Sequence, residues 1–207
     1  MGGRRAGTFA TISPITITIL FVPNLWTLLL RGSLRWAELQ CFFHKRPNMV
    51  DLLVKLYDIP DPSETLAALA AHGIVVRRAM ANEKTQVADW IRNRFGDRWA
   101  AECEAAFARQ PIACFIALYK TQMVGFACHD ATCANFFGPI GIDPVSRHKG
   151  VGRALLLATL QSMHHGGYAY AIVGSAGPEE FFEKCAGAIA IPGSTPGIYP
   201  STTIKRQ

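Results

Sequence analysis

The stretch Gly141-Ile142-Asp143-Pro144-Val145-Ser146-Arg147-His148-Lys149-Gly150-Val151-Gly152-Arg153 constrains this chain more than any other. It reads as the end of a strand, a tight basic turn and the start of an apolar helix running from Val151 to Met163. A helix start leaves backbone N–H groups unpaired and pointing the same way. The helix dipole adds partial positive charge there, and Arg147, His148, Lys149 and Arg153 add side-chain charge. Gly150 and Gly152 lack the Cβ atoms that would hold a ligand off the main chain. The expected product is a seat for a pyrophosphate or similar polyanion.

Two glycine-bearing phosphate loops are excluded. No Gly-x-x-x-x-Gly-Lys-Ser/Thr run occurs, and a dinucleotide fingerprint would need a third glycine where Leu155 stands. The remaining pattern is Arg/Gln-x-x-Gly-x-Gly/Ala, met by Arg147, Gly150 and Gly152 after Ile142-Asp143-Pro144 and before Ala154-Leu155-Leu156-Leu157. In that context the segment resembles the acetyl-CoA-binding turn of the GNAT superfamily of N-acetyltransferases.

The resemblance extends from about residue 73 to residue 199. Strands are expected at Ile74–Arg78, Ile112–Tyr119, Met123–Asp130, Phe136–Asp143 and Tyr168–Gly174, with Ala188–Ile191 closing the domain. Helices are expected at Ala81–Phe95, Trp99–Arg109 and Pro178–Cys185. The end, Gly193-Ser194-Thr195-Pro196-Gly197-Ile198-Tyr199, is similar to a tail of some bacterial members. The implied fold class is α/β (α+β), a mixed central sheet splayed at the cofactor strand and flanked by helices. Before this N-acetyltransferase domain of residues 73–207, residues 49–72 read as a strand (Leu52, Val54, Leu56) and a helix (Glu64–Ala71) ended by Gly73. That addition is expected to cover a sheet edge or help form an acceptor pocket.

Charge separates residues 1–48 from the rest. They carry Arg4, Arg5, Arg31, Arg35, Lys45 and Arg46 against Glu38 alone, so five of the chain's six units of net positive charge lie there. The remainder is nearly neutral, which argues against nucleic acid as a partner. Residues 6–30 are uncharged and long enough to cross a bilayer, but Pro14, Pro23 and Asn24 interrupt them. The favoured expectation is that Met49 is the true start, with residues 1–48 a disordered extension or start-site artefact and the protein cytoplasmic. A membrane anchor through residues 6–30 is the alternative.

Six cysteines, at 41, 103, 114, 128, 133 and 185, form no Cys-x-x-Cys pair or zinc-finger spacing. Most are expected to be small buried hydrophobes in a reducing compartment, and no metal is expected. Cys128, His129 and Cys133 would lack a fourth ligand. Trp90, Trp99, Phe107, Phe115 and Phe126 read as core or acceptor-pocket lining.

The resemblance implies acetyl-CoA as co-substrate and direct attack of a neutral amine, from a small molecule or a protein, on the thioester. The pantetheine arm would lie between Ile140–Pro144 and Ala169–Val173. The Ile142 N–H would face the thioester carbonyl and stabilise the oxyanion. Asp143 and the turn from Arg147 to Arg153 would complete the cofactor contacts. Glu180-Phe181-Phe182-Glu183-Lys184 stands where the family often has an aromatic-Tyr-Glu-Lys run, so Phe182 contacts the cofactor but cannot donate a proton to the leaving thiolate. Water or Tyr199 would then do so. Asp130 is a candidate general base, although an aspartate is ordinarily solvated. Asp143 reads better as a turn cap. His129 reads as a satisfied bystander. A non-catalytic sensor of CoA or acyl-CoA with the same fold is the competing reading, and a homodimer is left open.

Overall fold

The computed structural model describes residues 49–147 and 149–198. The expectations for residues 1–48, His148 and Tyr199 lie outside them.

Seven strands form one sheet: β1 (Val50–Lys55), β2 (Ile74–Arg78), β3 (Cys114–Tyr119), β4 (Gln122–His129), β5 (Phe136–Ile142), β6 (Tyr170–Ala176) and β7 (Ile189–Ala190). Their spatial order is β2-β3-β4-β5-β6-β1-β7. The helices are α1 (Ser63–Ala71), α2 (Lys84–Phe95), α3 (Asp97–Phe107), α4 (Val151–His165) and α5 (Glu179–Ala186). The sheet is antiparallel throughout except where β5 meets β6 in parallel.

Alternation along the central strands sends side chains into two cores. Phe115 and Ala117 of β3 face one core with α1, α4 and α5, whereas Cys114 and Ile116 face the other, against α2 and α3. Both faces are covered, so β3 and β4 read as unbroken apolar runs. The central helix α4 buries Leu155, Leu156, Leu157, Leu160 and Met163 completely. It packs over β3, β4 and β5 on one side and against α1 and α5 on the other, which explains an apolar surface nearly all round.

Within residues 49–72, β1 covers the edge of β6, as expected of this addition: it runs antiparallel between β6 and β7, pairing Leu53 with Ile172 on one side and Ile189 on the other. The strand expected at Tyr168–Gly174 instead covers Tyr170–Ala176. Tyr168 N–H still bonds Met163 C=O at 3.2 Å, closing the helix end, while Val50 holds Ala176 in register at the far end.

β5 and β6 pair at only two positions, Phe136 with Ile172 and Phe137 with Val173. Beyond Phe137, β5 stays bonded to β4 (Ala127 with Ile140, Phe126 with Gly141, Gly125 with Ile142) and β6 stays bonded to β1. The sheet therefore opens along the edge of Gly138–Ile142.

Candidate functional site: an open strand edge ending at a helix N-terminus

Asp143 N–H donates to Val124 C=O at 2.9 Å. Strand alternation then turns the Ile142 and Ile140 amides the other way, into the opening beside β6. The opening runs directly into the start of α4. There Gly150 is the N-cap in the left-handed region at φ +82°, a conformation that a side chain would strain. The first intrahelical bond is Ala154 N–H to Gly150 C=O at 3.0 Å, so the amides of Val151, Gly152 and Arg153 precede the helical ladder.

A cavity of about 650 Å³ joins these groups, with Ile142, Arg147, Gly150, Gly152, Arg153 and Phe182 all in its wall. A Cβ at Gly152 would sit 3.5 Å from the Phe181 ring and 3.7 Å from Ile142 Cγ1, so the absent side chain belongs to the cavity surface. Gly141 plays a different part: a Cβ there would come within 2.7 Å of Phe95 and 2.8 Å of Phe126. That glycine admits aromatic rings from the α2–α3 side and leaves no extra room on the open edge.

The other predicted contacts separate. Val151 has its side chain buried in the core, so only its amide is available to a ligand. Lys149 lines a neighbouring hollow with Thr65, Ala68 and His72. Asp143 caps the turn by accepting from Val145 N–H at 3.2 Å and pairs with Arg94 at 3.0 Å. The Arg94 bond holds its carboxyl below the ordinary range.

A second chamber of about 300 Å³ lies at Gly138. Trp99, Ile140, Pro178 and Phe182 line both chambers, so the two lie side by side along the cleft. The second chamber adds Glu102, Thr132, Pro139 and Ser175. Phe182 is 3% exposed and meets Phe137 edge to face, so it forms the wall between the chambers and offers no proton. The segment Gly193–Ile198 docks beside this chamber. Ser194 Oγ accepts from Asp51 N–H at 2.9 Å, and Asp51 Oδ1 accepts from Ser175 N–H at 2.7 Å.

Asp130 is 8% exposed, where a solvated carboxylate was expected, and it is not among the residues lining this cleft. Its carboxylate accepts from Asn135 N–H (2.7 Å) and the Tyr168 hydroxyl (3.1 Å), and meets His129 Nδ1 at 2.8 Å. Beyond His129, Nε2 lies 3.2 Å from Ser162 Oγ, which accepts from Arg78 Nη2 at 2.8 Å. Because Asp130 only accepts, His129 carries its proton on Nδ1 and takes the Ser162 hydroxyl at Nε2. Burial holds this imidazole below its ordinary range, outweighing Asp130. Both ring nitrogens of His129 thus have partners, and Asp130 shapes the turn between β4 and β5. Asp130→Asn should lower stability by about 1–3 kcal/mol in denaturant melts, since it sets an amide against existing donors. A variant as stable as the parent would show that the carboxylate does not hold this turn.

Cys103, Cys114 and Cys128 are buried, as expected of small hydrophobes, with their sulfurs within 4.8 Å of one another in the α2–α3 core. They supply one donor fewer than a closed tetrahedral metal site takes. Cys133 is exposed and stands apart from them. Sequence reasoning did not single out Glu102, Phe95, Phe181 or Ser175. Only the opening of the sheet reveals which strand edges and helix faces share a cavity.

No protein-family model and no curated protein matches the chain. Among solved structures, it is similar to the GCN5-related glucosamine N-acetyltransferase region of a fungal multi-domain GH3 β-N-acetylglucosaminidase (TM-score 0.58, 14% identity, 75% of this chain and 22% of that one). A GCN5-related N-acetyltransferase from Sphaerobacter thermophilus gives a TM-score of 0.50 at 15% identity, over 75% of this chain and 53% of that one. A Drosophila protein gives 0.51 at 14% identity, over 69% and 47%. The chain thus spans between about a fifth and about half of the solved chains it resembles. The fold is that of the GCN5-related N-acetyltransferases: a mixed seven-stranded sheet, opened at one strand and flanked by helices. Among the described residues, no helix is long and apolar enough to cross a membrane.

Proposed function

We propose that this chain is an acetyl-CoA-dependent N-acetyltransferase that transfers an acetyl group to an amine by direct attack. The observation that carries the reading is the unpaired edge Gly138–Ile142 running into the unladdered amides of Val151, Gly152 and Arg153. The edge offers main-chain groups to an extended pantetheine arm as a neighbouring strand would. The helix start, with Arg147 and Arg153, offers positive charge to a diphosphate. The Ile142 amide turns away from β4 into the opening, where it would meet the thioester carbonyl, and a donor so placed would stabilise the developing oxyanion without reorganising. The amine lone pair forms the C–N bond, the C–S bond breaks, and the proton shed by nitrogen reaches the thiolate. Phe182 cannot relay that proton, and thiolates with a pKa of about 8.5 leave without an acid when water is near.

Phe182 also favours a second reading, a module that binds CoA or acyl-CoA as a sensor without turnover. Both readings require coenzyme binding, and turnover separates them. Acetyl-CoA at about a hundred times its dissociation constant should add about 2.7 kcal/mol, raising the melting temperature by about 5–10 °C. No rise at saturation would end the coenzyme assignment. Free-thiol release with an amine present would then favour the enzyme over the sensor.

A further inference from the structure

The α2–α3 core holds a cluster that the cleft does not use. Cys103 stands on α3, and Cys114 of β3 faces Cys128 of β4 at directly paired positions. The three sulfurs lie within 4.8 Å of one another, with Cys103 and Cys114 at 3.7 Å. A centre with bonds to sulfur of about 2.3 Å, the length zinc thiolates show, spreads three sulfurs about 3.3–4.0 Å apart, whether pyramidal or planar. The Cys103–Cys114 separation already falls in that range, and small side-chain rotations take up the rest. Among the described residues, the thiols hydrogen-bond to one another and, weakly, to the Phe115 carbonyl at 3.9 Å. Glu83, Lys84 and Glu104 act on them at longer range, from outside this core.

Charge decides the ligand. The other buried members of this core are alanine, valine, isoleucine and phenylalanine side chains, so none of them can balance a charge. Three thiolates around Cu⁺ would leave two negative charges. Around Zn²⁺ they would leave one, with a fourth position open. Either excess is costly in an apolar interior. Three thiolates around a trivalent centre leave none. The protons point the same way. Burial keeps the Cys128 thiol well above its ordinary pKa, and hydrogen bonding with Cys103 does so for Cys114. A ligand entering here must carry thiol protons away, which bound hydroxides do.

We propose that Cys103, Cys114 and Cys128 form a three-sulfur binding site for a trivalent thiophilic metalloid, which enters as its neutral hydroxide. With arsenic, three As–O bonds break and three As–S bonds form. Each hydroxide leaves with one thiol proton as water. Nothing is oxidised or reduced, and no charge is buried. All three cysteines are 0% exposed, so the ligand enters when α3 lifts from the sheet. Once seated, it ties α3 to β3 and β4. Trp99 on the same helix lines the cleft, so the site bears on the cleft without touching what binds there. The site stands independently of acetyl transfer.

The test takes the full chain, reduced with a phosphine, incubates it overnight with arsenite and removes the excess by gel filtration. Elemental analysis should find one arsenic per chain. X-ray absorption should find three sulfurs and no oxygen bound to it. A variant combining Cys41→Ala, Cys133→Ala and Cys185→Ala keeps the cluster and should bind as the parent does. Cys103→Ala exchanges one small apolar side chain for another, and should lose about tenfold or more in affinity while melting curves confirm folding. The parent unfolded in urea should also bind about tenfold or more weakly, because folding brings the sulfurs together in advance. Binding that survives Cys103→Ala, that disappears from the three-alanine variant, or that shows two sulfurs overturns the proposal. So does a native chain that takes up no arsenic. Should Cys103→Ala fail to fold, the sulfur count and the three-alanine variant decide.

Discussion

Gly152→Glu should abolish the rise in melting temperature that acetyl-CoA is expected to produce in the parent. The Gly152 Cα faces a cavity wall, and its backbone does not lie in the left-handed region, so a side chain there meets no conformational barrier. What it meets is the ligand. The new carboxylate projects into the space where Arg147, Arg153 and the first α4 amides converge. At an effective dielectric of about 20, two unit charges 5 Å apart repel by roughly 3 kcal/mol, enough for about a hundredfold in affinity. The amides are also screened by the side chain. Gly152→Ala is the control. Its Cβ would make ordinary contacts at 3.5–3.7 Å, and alanine favours a helix by up to about 1 kcal/mol over glycine. The alanine variant should melt no lower than the parent without ligand. A glutamate variant that still responds to acetyl-CoA would mean that the diphosphate is not seated on this turn.

Phe126→Ala should be the most damaging of these substitutions to the fold. Phe126 is completely buried, and its ring meets Phe95 at 5.8 Å, Trp99 at 6.1 Å and Trp90 at 6.4 Å. Removing a buried phenylalanine costs about 3–5 kcal/mol through lost transfer energy and the cavity left behind. Total stabilities of 5–15 kcal/mol leave little reserve for such a loss. The melting temperature should fall by about 10 °C or more. Function should suffer with stability, because Phe95 and Trp99 rest on Phe126 and line the cleft with their other sides. Phe126→Leu should restore most of the stability. A fall below about 3 °C for the alanine variant would show that the aromatic cluster rearranges to fill the space.

How much of this was legible beforehand differs by element. The turn at Arg147–Arg153 could be read because its signal is local: glycines, cations and a helix start in one short span. The helices α2, α3 and α5 were also local, with ends displaced by one to three residues; the largest shift is at α2, whose expected first turn, Ala81–Glu83, is a separate 3-10 turn. Gly96 ends α2 and precedes α3 with φ +90°, which shifted the second helix toward the N-terminus. Strand order was not legible. Nothing in Val50–Lys55 announces that it pairs with β6, because pairing partners are chosen by the closing of the whole sheet. The burial of Asp130 escaped for a similar reason. Its three partners, Asn135, Tyr168 and His129, come together only when the β4–β5 turn folds beside the end of α4.

The two-pair seam between β5 and β6 has a mechanical side. With so few rungs, the angle between the two leaves of the sheet depends on the helix wedged beneath them. Leu155, Leu156 and Leu160 set how deeply α4 is driven in. The gape of the slot is thus governed from underneath, by aliphatic residues that never touch what enters it.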